Sequence, residues 1–176
     1  MNVPRRDATP RWLVTTALED SWAPDRPQLF LGEWCRLYER RERWAEFDAP
    51  VVPYHWDDRG KLEADYHSLR HVYESLLADL ATTLNRVHEV DHTLRYWRIL
   101  LGPWLGYFVQ ATFDRWECIR LAAARPDVTR AKVLSVNATA VIPRDMDDFV
   151  GLMIGDVWNQ NIYETFLRQH SNITLD

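Results

Sequence analysis

A long apolar periodicity in the middle of the chain constrains the fold more than any other feature of this 176-residue sequence. Between about Lys61 and Val87, apolar side chains recur at steps of three and four residues: Leu62, Tyr66, Leu69, Val72, Tyr73, Leu76, Leu77, Leu80 and Leu84. This spacing places them on one face of an α-helix. We therefore predict a long amphipathic helix that buries this face against another element.

Short apolar runs elsewhere in the chain predict β-strands. They cover residues 12–18, 28–31, 50–54 and 131–136. The third run contains two prolines, which place it at a sheet edge or at the start of a strand. An exposed helix is predicted over residues 35–47.

Further helices are predicted in the second half of the chain. One is capped by Asp91, is interrupted at Gly102 and Pro103, and continues over residues 105–124. Another is capped by Asp145 or Asp147 and covers residues 148–169.

The alternation of strands and helices indicates an α/β fold, with a Rossmann-like, mostly parallel sheet of about four strands under long covering helices. We expect a flexible N-terminus over residues 1–11 and a single α/β domain over residues 12–176. In such sheets, ligands bind beyond the carboxyl ends of the strands. The segments that follow the predicted strands are therefore the first place to look for a functional site.

Composition excludes several function classes. The 21 basic and 26 acidic side chains give a net charge of −5, which disfavours a nucleic-acid partner. The six glycines form neither a dinucleotide-binding nor a Walker-type phosphate loop, so we expect no cofactor. Two cysteines and an N-terminus without an apolar stretch indicate a reducing, cytoplasmic location. The uncharged run 99–113 is too short to span a membrane and predicts a core helix, with peripheral membrane contact as the alternative.

The segment after the second strand carries a carboxylate, an indole and a thiol in succession. Glu33 is a candidate general base and Trp34 a candidate stacking surface, while the alternative is a β-turn that buries Trp34. Thr16 and Glu19, at the carboxyl end of the first strand, are candidate substrate-binding residues. Cys35 is a weaker candidate nucleophile, because no histidine lies within a few residues of it.

A second polar cluster follows the third predicted strand. His55 or Asp57 is a candidate general base, and an aromatic residue lies on either side of the histidine, Tyr54 before it and Trp56 after it. Asp58 is predicted instead to cap the long helix that starts here.

Two further groups have both a functional and a structural interpretation. Arg95 and Arg98 could hold a phosphate near the predicted helix break, or they could pair with nearby aspartates. His67 and His71 stand one helical turn apart, but their charged neighbours indicate a solvated helix face, so we predict no metal site.

Five segments in the same order are similar to the N-terminal part of a transferase family found in bacterial O-antigen and surface-polysaccharide gene clusters. They are LVTTALEDSW, LFLGEWCRLY, VVPYHWDDR, LRYWRILLGPWL and FDRW. The resemblance implies the N-terminal half of a two-domain, glycosyltransferase-like enzyme of cytoplasmic or membrane-peripheral location. Its partners would be a sugar acceptor and a nucleotide-sugar.

The resemblance also implies that the donor diphosphate binds a second domain, which agrees with the absence of a glycine-rich phosphate loop here. We therefore expect an acceptor-side domain that is inactive as the isolated chain. The alternative is a non-catalytic module that binds a carbohydrate or a partner chain. By matching motif, Glu19, Glu33, Trp34, His55, Asp57, Arg95 and Arg98 are residues of the family pattern. In the sugar transferase that the resemblance implies, Trp34 and Trp56 are candidate sugar-stacking residues.

Overall fold

The computed structural model describes residues 9–176, so residues 1–8 of the predicted flexible N-terminus lie outside it. Contacts between residues divide the described chain into two compact units. The sheet unit contains the residues up to Tyr54 and Arg115–Asp176, and the hairpin unit contains His55–Asp114. Whether residues 12–176 act as a single domain stays a prediction.

The sheet unit is built on four parallel strands, which confirms the predicted α/β class. The strands are β1 (Arg11–Val14), β2 (Gln28–Phe30), β3 (Val128–Ala131) and β4 (Thr174–Leu175), in the order β2-β1-β3-β4. Leu13 pairs with Leu29 on one side and with Ala131 on the other. These central positions are buried, because a parallel sheet is covered on both faces.

Two predicted strands differ from those observed. Residues 50–54 form only an isolated bridge between Val51 and Phe30, since Pro50 and Pro53 have no N–H to donate to a ladder. The strand predicted over residues 131–136 lies earlier in the chain, at Val128–Ala131. The two-residue strand β4 was not predicted, because it is too short to show an alternating pattern.

The helices of the sheet unit are shorter than predicted. In place of a helix over residues 35–47 there are two 3₁₀ turns, Glu33–Cys35 and Tyr38–Arg40, and a four-residue helix, α1 (Arg41–Trp44). The extended backbone of Leu37, between the two turns, prevents a continuous helix.

The single helix predicted over residues 148–169 is two helices, α4 (Met146–Ile154) and α5 (Asp156–His170). They are separated at Gly155, whose backbone is extended. Asp145 caps α4 as predicted, because its carboxylate accepts the Asp148 N–H at 2.9 Å.

The hairpin unit consists of two long helices. They are α2 (Arg59–His88) and the first part of α3 (Leu94–Ala123), whose remainder belongs to the sheet unit. Leu69 and Leu77 of α2 pack with Leu105 and Val109 of α3. The periodicity thus predicts α2 to within about two residues at each end, inside the usual uncertainty of helix boundaries.

Asn85 organises the turn that joins the two helices. Its side-chain carbonyl oxygen accepts the Trp97 indole N–H at 2.9 Å and the His92 backbone N–H at 3.1 Å. Glu89 adopts the left-handed backbone conformation, φ 54°, that ends many helices. Thr93 caps α3 by accepting the Tyr96 N–H at 3.3 Å, so the prediction that Asp91 is the cap was wrong.

The predicted interruption at Gly102 and Pro103 was also wrong, because α3 continues through both residues. Pro103 cannot donate to the carbonyl of Ile99, but Ile99 is an exposed residue, and solvent can satisfy a carbonyl there. None of the helices described between residues 9 and 176 has the length and apolar content needed to cross a bilayer.

Candidate functional site

The carboxyl ends of β1 and β2 lie at one edge of the sheet, because the two strands are parallel neighbours. Thr15 and Thr16 follow β1, and Gly32 and Glu33 come shortly after β2. This edge is where sheets of this class usually bind ligands. We refer to these residues, together with Glu19 and Trp34, as the sheet-edge cluster.

The two threonines of this cluster point into the protein. Thr16 is fully buried, and its hydroxyl donates to Oε1 of Gln160 on α5 at 3.0 Å, while the Thr15 hydroxyl lies 3.3 Å from the same atom. Thr16, a predicted substrate-binding residue, therefore anchors the β1 edge to α5. Sequence reasoning missed Gln160, because a single glutamine inside a helix gives no signal.

Glu33 is the exposed carboxylate of the cluster, and 73% of its side chain is accessible to solvent. The Arg36 guanidinium, one turn further on, donates to both of its oxygens, at 2.7 Å from Nη2 to Oε1 and 3.2 Å from Nε to Oε2. A bidentate contact of this kind restricts the orientation of a carboxylate.

Trp34 is half-buried against the sheet. Its indole N–H donates to the Thr15 carbonyl at 3.0 Å, and its ring lies parallel to that of Tyr163, with the centroids 6.5 Å apart. A Cβ at Gly32 would collide with the Trp34 ring, so only glycine fits there. Trp34 thus fastens the β2 edge to β1 and α5.

The loop after β1 is held from two sides. The Ala17 N–H donates to the Asp156 carboxylate at 3.2 Å, and the Arg40 guanidinium donates to the Ala17 carbonyl at 3.0 Å. Glu19 forms a looser ion pair with Arg43 at 3.7 Å. These contacts give the sheet-edge cluster a defined shape before any ligand binds.

Cys35 has the environment of a structural thiol. It is fully buried, and its sulfur lies 3.4 Å from the Val14 carbonyl oxygen. Burial raises the pKa of the Cys35 thiol to about 12. A thiol with so high a pKa is a poor nucleophile at neutral pH, which argues against the nucleophile interpretation.

The remaining predicted site residues belong to the hairpin unit. The imidazole of His55 lies 3.0 Å from the Asp114 carboxylate, and only 1% of the His55 side chain is accessible. Trp56 donates its indole N–H to Asp65 at 3.0 Å. Asp57 is exposed. Asp58 caps α2 as predicted, accepting the N–H groups of Gly60 and Lys61 at 2.9 and 3.1 Å.

The two arginines of α3 differ in their surroundings. Arg95 is exposed in the first turn of the helix. Arg98 binds Glu74 of α2 through both oxygens, at 2.8 and 2.6 Å. These hydrogen bonds raise the pKa of Arg98 and lower that of Glu74. Arg98 is thus paired with a protein carboxylate, but that carboxylate is Glu74 and not Asp91 or Asp114, the aspartates that the structural interpretation expected.

A cavity of about 370 Å³ lies within the hairpin unit, between α2 and α3. Leu69, Gly102 and Val109 are buried at its walls, and Arg70 and Gln110 are exposed at its mouth. Sequence reasoning missed the cavity, although Gly102 and Gly106 are spaced by one helical turn and remove two side chains from the same helix face.

The structure thus divides the predicted site residues between the two units. Thr16, Glu19, Glu33 and Trp34 lie together at the sheet edge, whereas His55, Trp56, Asp57, Arg95 and Arg98 belong to the hairpin unit. His67 and His71, the two histidines one helical turn apart, lie at exposed positions of α2. His71 Nδ1 lies 2.8 Å from the His67 carbonyl oxygen.

Comparison with known proteins identifies a family. No curated protein and no solved structure matches the chain significantly. A family model described as LIC12162 family transferase matches residues 11–176, which include both units of the structure. The chain therefore belongs to the LIC12162 family of transferases.

Proposed function

We propose that the protein is the acceptor-side part of a sugar transferase that acts in surface-polysaccharide or O-antigen biosynthesis in the bacterial cytoplasm. Its membership of a transferase family and its parallel α/β sheet support this proposal. The acceptor sugar would bind at the sheet-edge cluster.

The observation that carries the proposal is the position of Glu33. Its carboxylate is exposed, is oriented by Arg36, and lies beyond the carboxyl end of a parallel strand. Among the three candidate bases, His55 is enclosed and hydrogen-bonded, and Asp57 lies next to the cap of α2. Glu33 is therefore the favoured base, with His55 and Asp57 as the other candidates.

The proposed reaction uses the carboxylate as a general base. Glu33 accepts the proton of an acceptor hydroxyl while that oxygen forms a bond to the anomeric carbon of an activated donor. The bond from this carbon to the leaving group breaks, and its electron pair departs with the leaving group. General-base assistance of this kind contributes about 10²- to 10⁴-fold to a rate.

The donor would bind elsewhere, in a further domain or in a partner chain. The six glycines of the sequence form no phosphate-binding loop, and a nucleotide diphosphate commonly needs the backbone N–H groups of such a loop. On this proposal the isolated chain binds acceptor sugars but does not transfer.

Two measurements test the proposal. In saturation-transfer NMR, the purified chain should bind members of a panel of free sugars and should not bind nucleoside diphosphates. When the donor-binding part is supplied in the same polypeptide or as a second chain, E33Q should lower the transfer rate by about 100-fold. E39Q, a change at another exposed glutamate nearby, is the matched control and should leave the rate unchanged.

Tight binding of nucleoside diphosphates to the chain, or full transfer by E33Q, would contradict the proposal. A non-catalytic carbohydrate- or partner-binding module is the second candidate, favoured by the exposed apolar side chains Ile99 and Leu100 of the hairpin unit. If the chain binds sugars but no transfer occurs with any donor even when the donor-binding part is supplied, that result would indicate such a module.

A further inference from the structure

The cavity of the hairpin unit has the properties of a binding site that is independent of the proposed reaction. Its volume of about 370 Å³ is within the range of small-molecule sites. It is more than twice the size of a cavity of about 150 Å³ that can bind benzene. Space for a ligand of several carbon atoms is therefore present.

The walls of the cavity are apolar. Leu69 of α2 and Val109 of α3 are buried there, and the rings of Trp56 and Tyr73 are partly buried beside them. The indole N–H of Trp56, the one polar group of that ring, already donates to Asp65. The inner part of the cavity thus favours a hydrocarbon group over a hydroxylated one.

The absence of a side chain at Gly106 keeps the cavity open. A Cβ at Gly106 would lie 4.0 Å from the Tyr73 ring, an ordinary contact distance, so a side chain at this position would occupy space that is otherwise empty. The void therefore depends on glycine at position 106 and not on an unusual backbone.

The mouth of the cavity is polar and carries a cation. Arg70 is exposed there beside Gln110, whose amide donates to the Gly106 carbonyl at 3.1 Å. Arg70 contributes to the lowered pKa of Glu74, one turn further along α2, but both oxygens of Glu74 are bound by Arg98. The Arg70 guanidinium therefore remains available to an anionic group of a ligand.

An exposed apolar stripe continues from the mouth along α3. Tyr96, Ile99, Pro103 and Tyr107 follow one another at steps of three and four residues, with Leu100 next to Ile99, and 71% of Ile99 is accessible. Pro103 and Tyr107 belong both to this stripe and to the cavity lining. An apolar chain leaving the cavity would thus find further apolar surface to cover.

We propose that this cavity binds an amphiphilic anion, that is, a hydrocarbon chain or ring carrying a phosphate or carboxylate head group. The hydrocarbon part fills the space beside Gly106, and Arg70 binds the head group at the mouth. The same chemistry is present in a membrane lipid and in a soluble amphiphile.

Isothermal titration calorimetry with decyl phosphate, at concentrations at which this amphiphile forms no micelles, tests the proposal. The wild-type protein should bind it saturably, while inorganic phosphate should give no heat and decyl maltoside should bind more weakly. R70Q should weaken binding by about tenfold, because a hydrogen bond to a charged group is lost. R86Q, at an exposed arginine of the same helix, should stay within about twofold.

A second pair of variants tests the location of the hydrocarbon. G106L fills the void and should weaken binding by about tenfold or more. G151L is its control, since Gly151 also lies in a helix and a Cβ there meets nothing within 4 Å. Thermal melts confirm that both variants fold, and R70Q gives an independent result should G106L not fold.

Flotation with phosphatidylcholine vesicles that contain hexadecyl phosphate identifies the source of the ligand. Flotation that requires Arg70 and Gly106 supports a membrane-borne anion, whereas binding of decyl phosphate without flotation supports a soluble one. The proposal is overturned if decyl phosphate does not bind saturably, if decyl maltoside binds equally well, or if neither R70Q nor G106L weakens binding.

Discussion

Arg98 of α3 binds Glu74 of α2 through both carboxylate oxygens, at 2.8 and 2.6 Å, and so joins the two long helices across the hairpin. The Arg98 guanidinium lowers the pKa of Glu74 in the folded protein. Because the folded pKa is below the unfolded one, the pair stabilises the fold at pH values above the usual glutamate pKa of 4.5. This contribution is lost as the pH falls through the lowered pKa.

We therefore predict that E74Q changes the acid side of the stability profile. Urea midpoints measured between neutral pH and pH 3 should fall less steeply in E74Q than in the wild type, and the two proteins should differ most near neutrality. E63Q, at an exposed glutamate on the same helix, should follow the wild-type curve. Parallel curves for E74Q and the wild type would show that the pair contributes nothing.

The two glycines of α3 that face Tyr73 should respond differently to alanine. At Gly102 a Cβ would lie only 2.7 Å from the Tyr73 hydroxyl, whereas at Gly106 it would lie 4.0 Å from the ring. G106A should raise the free energy of unfolding by about 0.5–1 kcal/mol, because alanine favours a helix over glycine. G102A should not show this increase in the free energy of unfolding, because the Tyr73 side chain must move to make room for the new Cβ.

The double variant G102A/Y73F provides the check on this explanation. Removing the Tyr73 hydroxyl also removes the collision, so G102A should be more favourable in the Y73F background than in the wild type. Urea denaturation gives the four free energies that are needed. Equal effects of G102A in both backgrounds would mean that another contact limits position 102.

Asp57 and Asp58 are neighbours with separate predicted roles. D58A should lower the free energy of unfolding by about 1 kcal/mol, because the N–H groups of Gly60 and Lys61 lose their acceptor, while D58N should retain most of the stability. D57A is the matched control at an exposed carboxylate and should leave stability nearly unchanged. Thermal denaturation of the three variants measures the difference.

The Cys35 thiol should be inert in the folded protein. Because burial raises its pKa to about 12, Ellman's reagent at pH 8 should react with it only after denaturant is added. The raised pKa also means that this thiol stabilises the fold below its unfolded pKa, near 9.0, and that the contribution declines as the pH rises towards 12. The measurement uses the C118A variant, in which Cys35 is the sole cysteine, so that all of the colour comes from Cys35. Rapid labelling of Cys35 in the native protein would contradict the prediction that its thiol is inert.

The sequence predicts those parts of the fold that depend on local pattern. Helix α2 follows from its apolar periodicity and from Asp58 as its cap, and the sheet follows from the β-branched and aliphatic runs around Leu13 and Leu29. These signals are strong because each is repeated over several residues. A single residue is a weaker signal: α3 continues through Pro103, where the one hydrogen bond that proline removes would end on the carbonyl of the exposed Ile99.

The candidate site could be predicted only in part, because some of its contacts join residues that are distant in the sequence. Position relative to a strand end indicates Glu33 and Trp34, and the structure places both at the sheet edge. The hydrogen bonds of Thr16 to Gln160 and of Arg98 to Glu74 join residues that are far apart in the chain. Sequence spacing contains no information on such contacts, so the internal partners of these side chains became evident only in the folded protein.

The pairing of Leu13 with Ala131 at the centre of the sheet has a consequence for folding kinetics. On the ribosome, β1 emerges long before β3, and the whole hairpin is synthesised between them. The hairpin has mainly local contacts and can form early, whereas the central strand pair must wait for its distant partner. Loop closure costs only about 0.6 kcal/mol more for each doubling of length, so the delay affects the rate far more than the stability. During that interval β1 presents an unpaired edge, which is the stage at which a chaperone would be most useful to this chain.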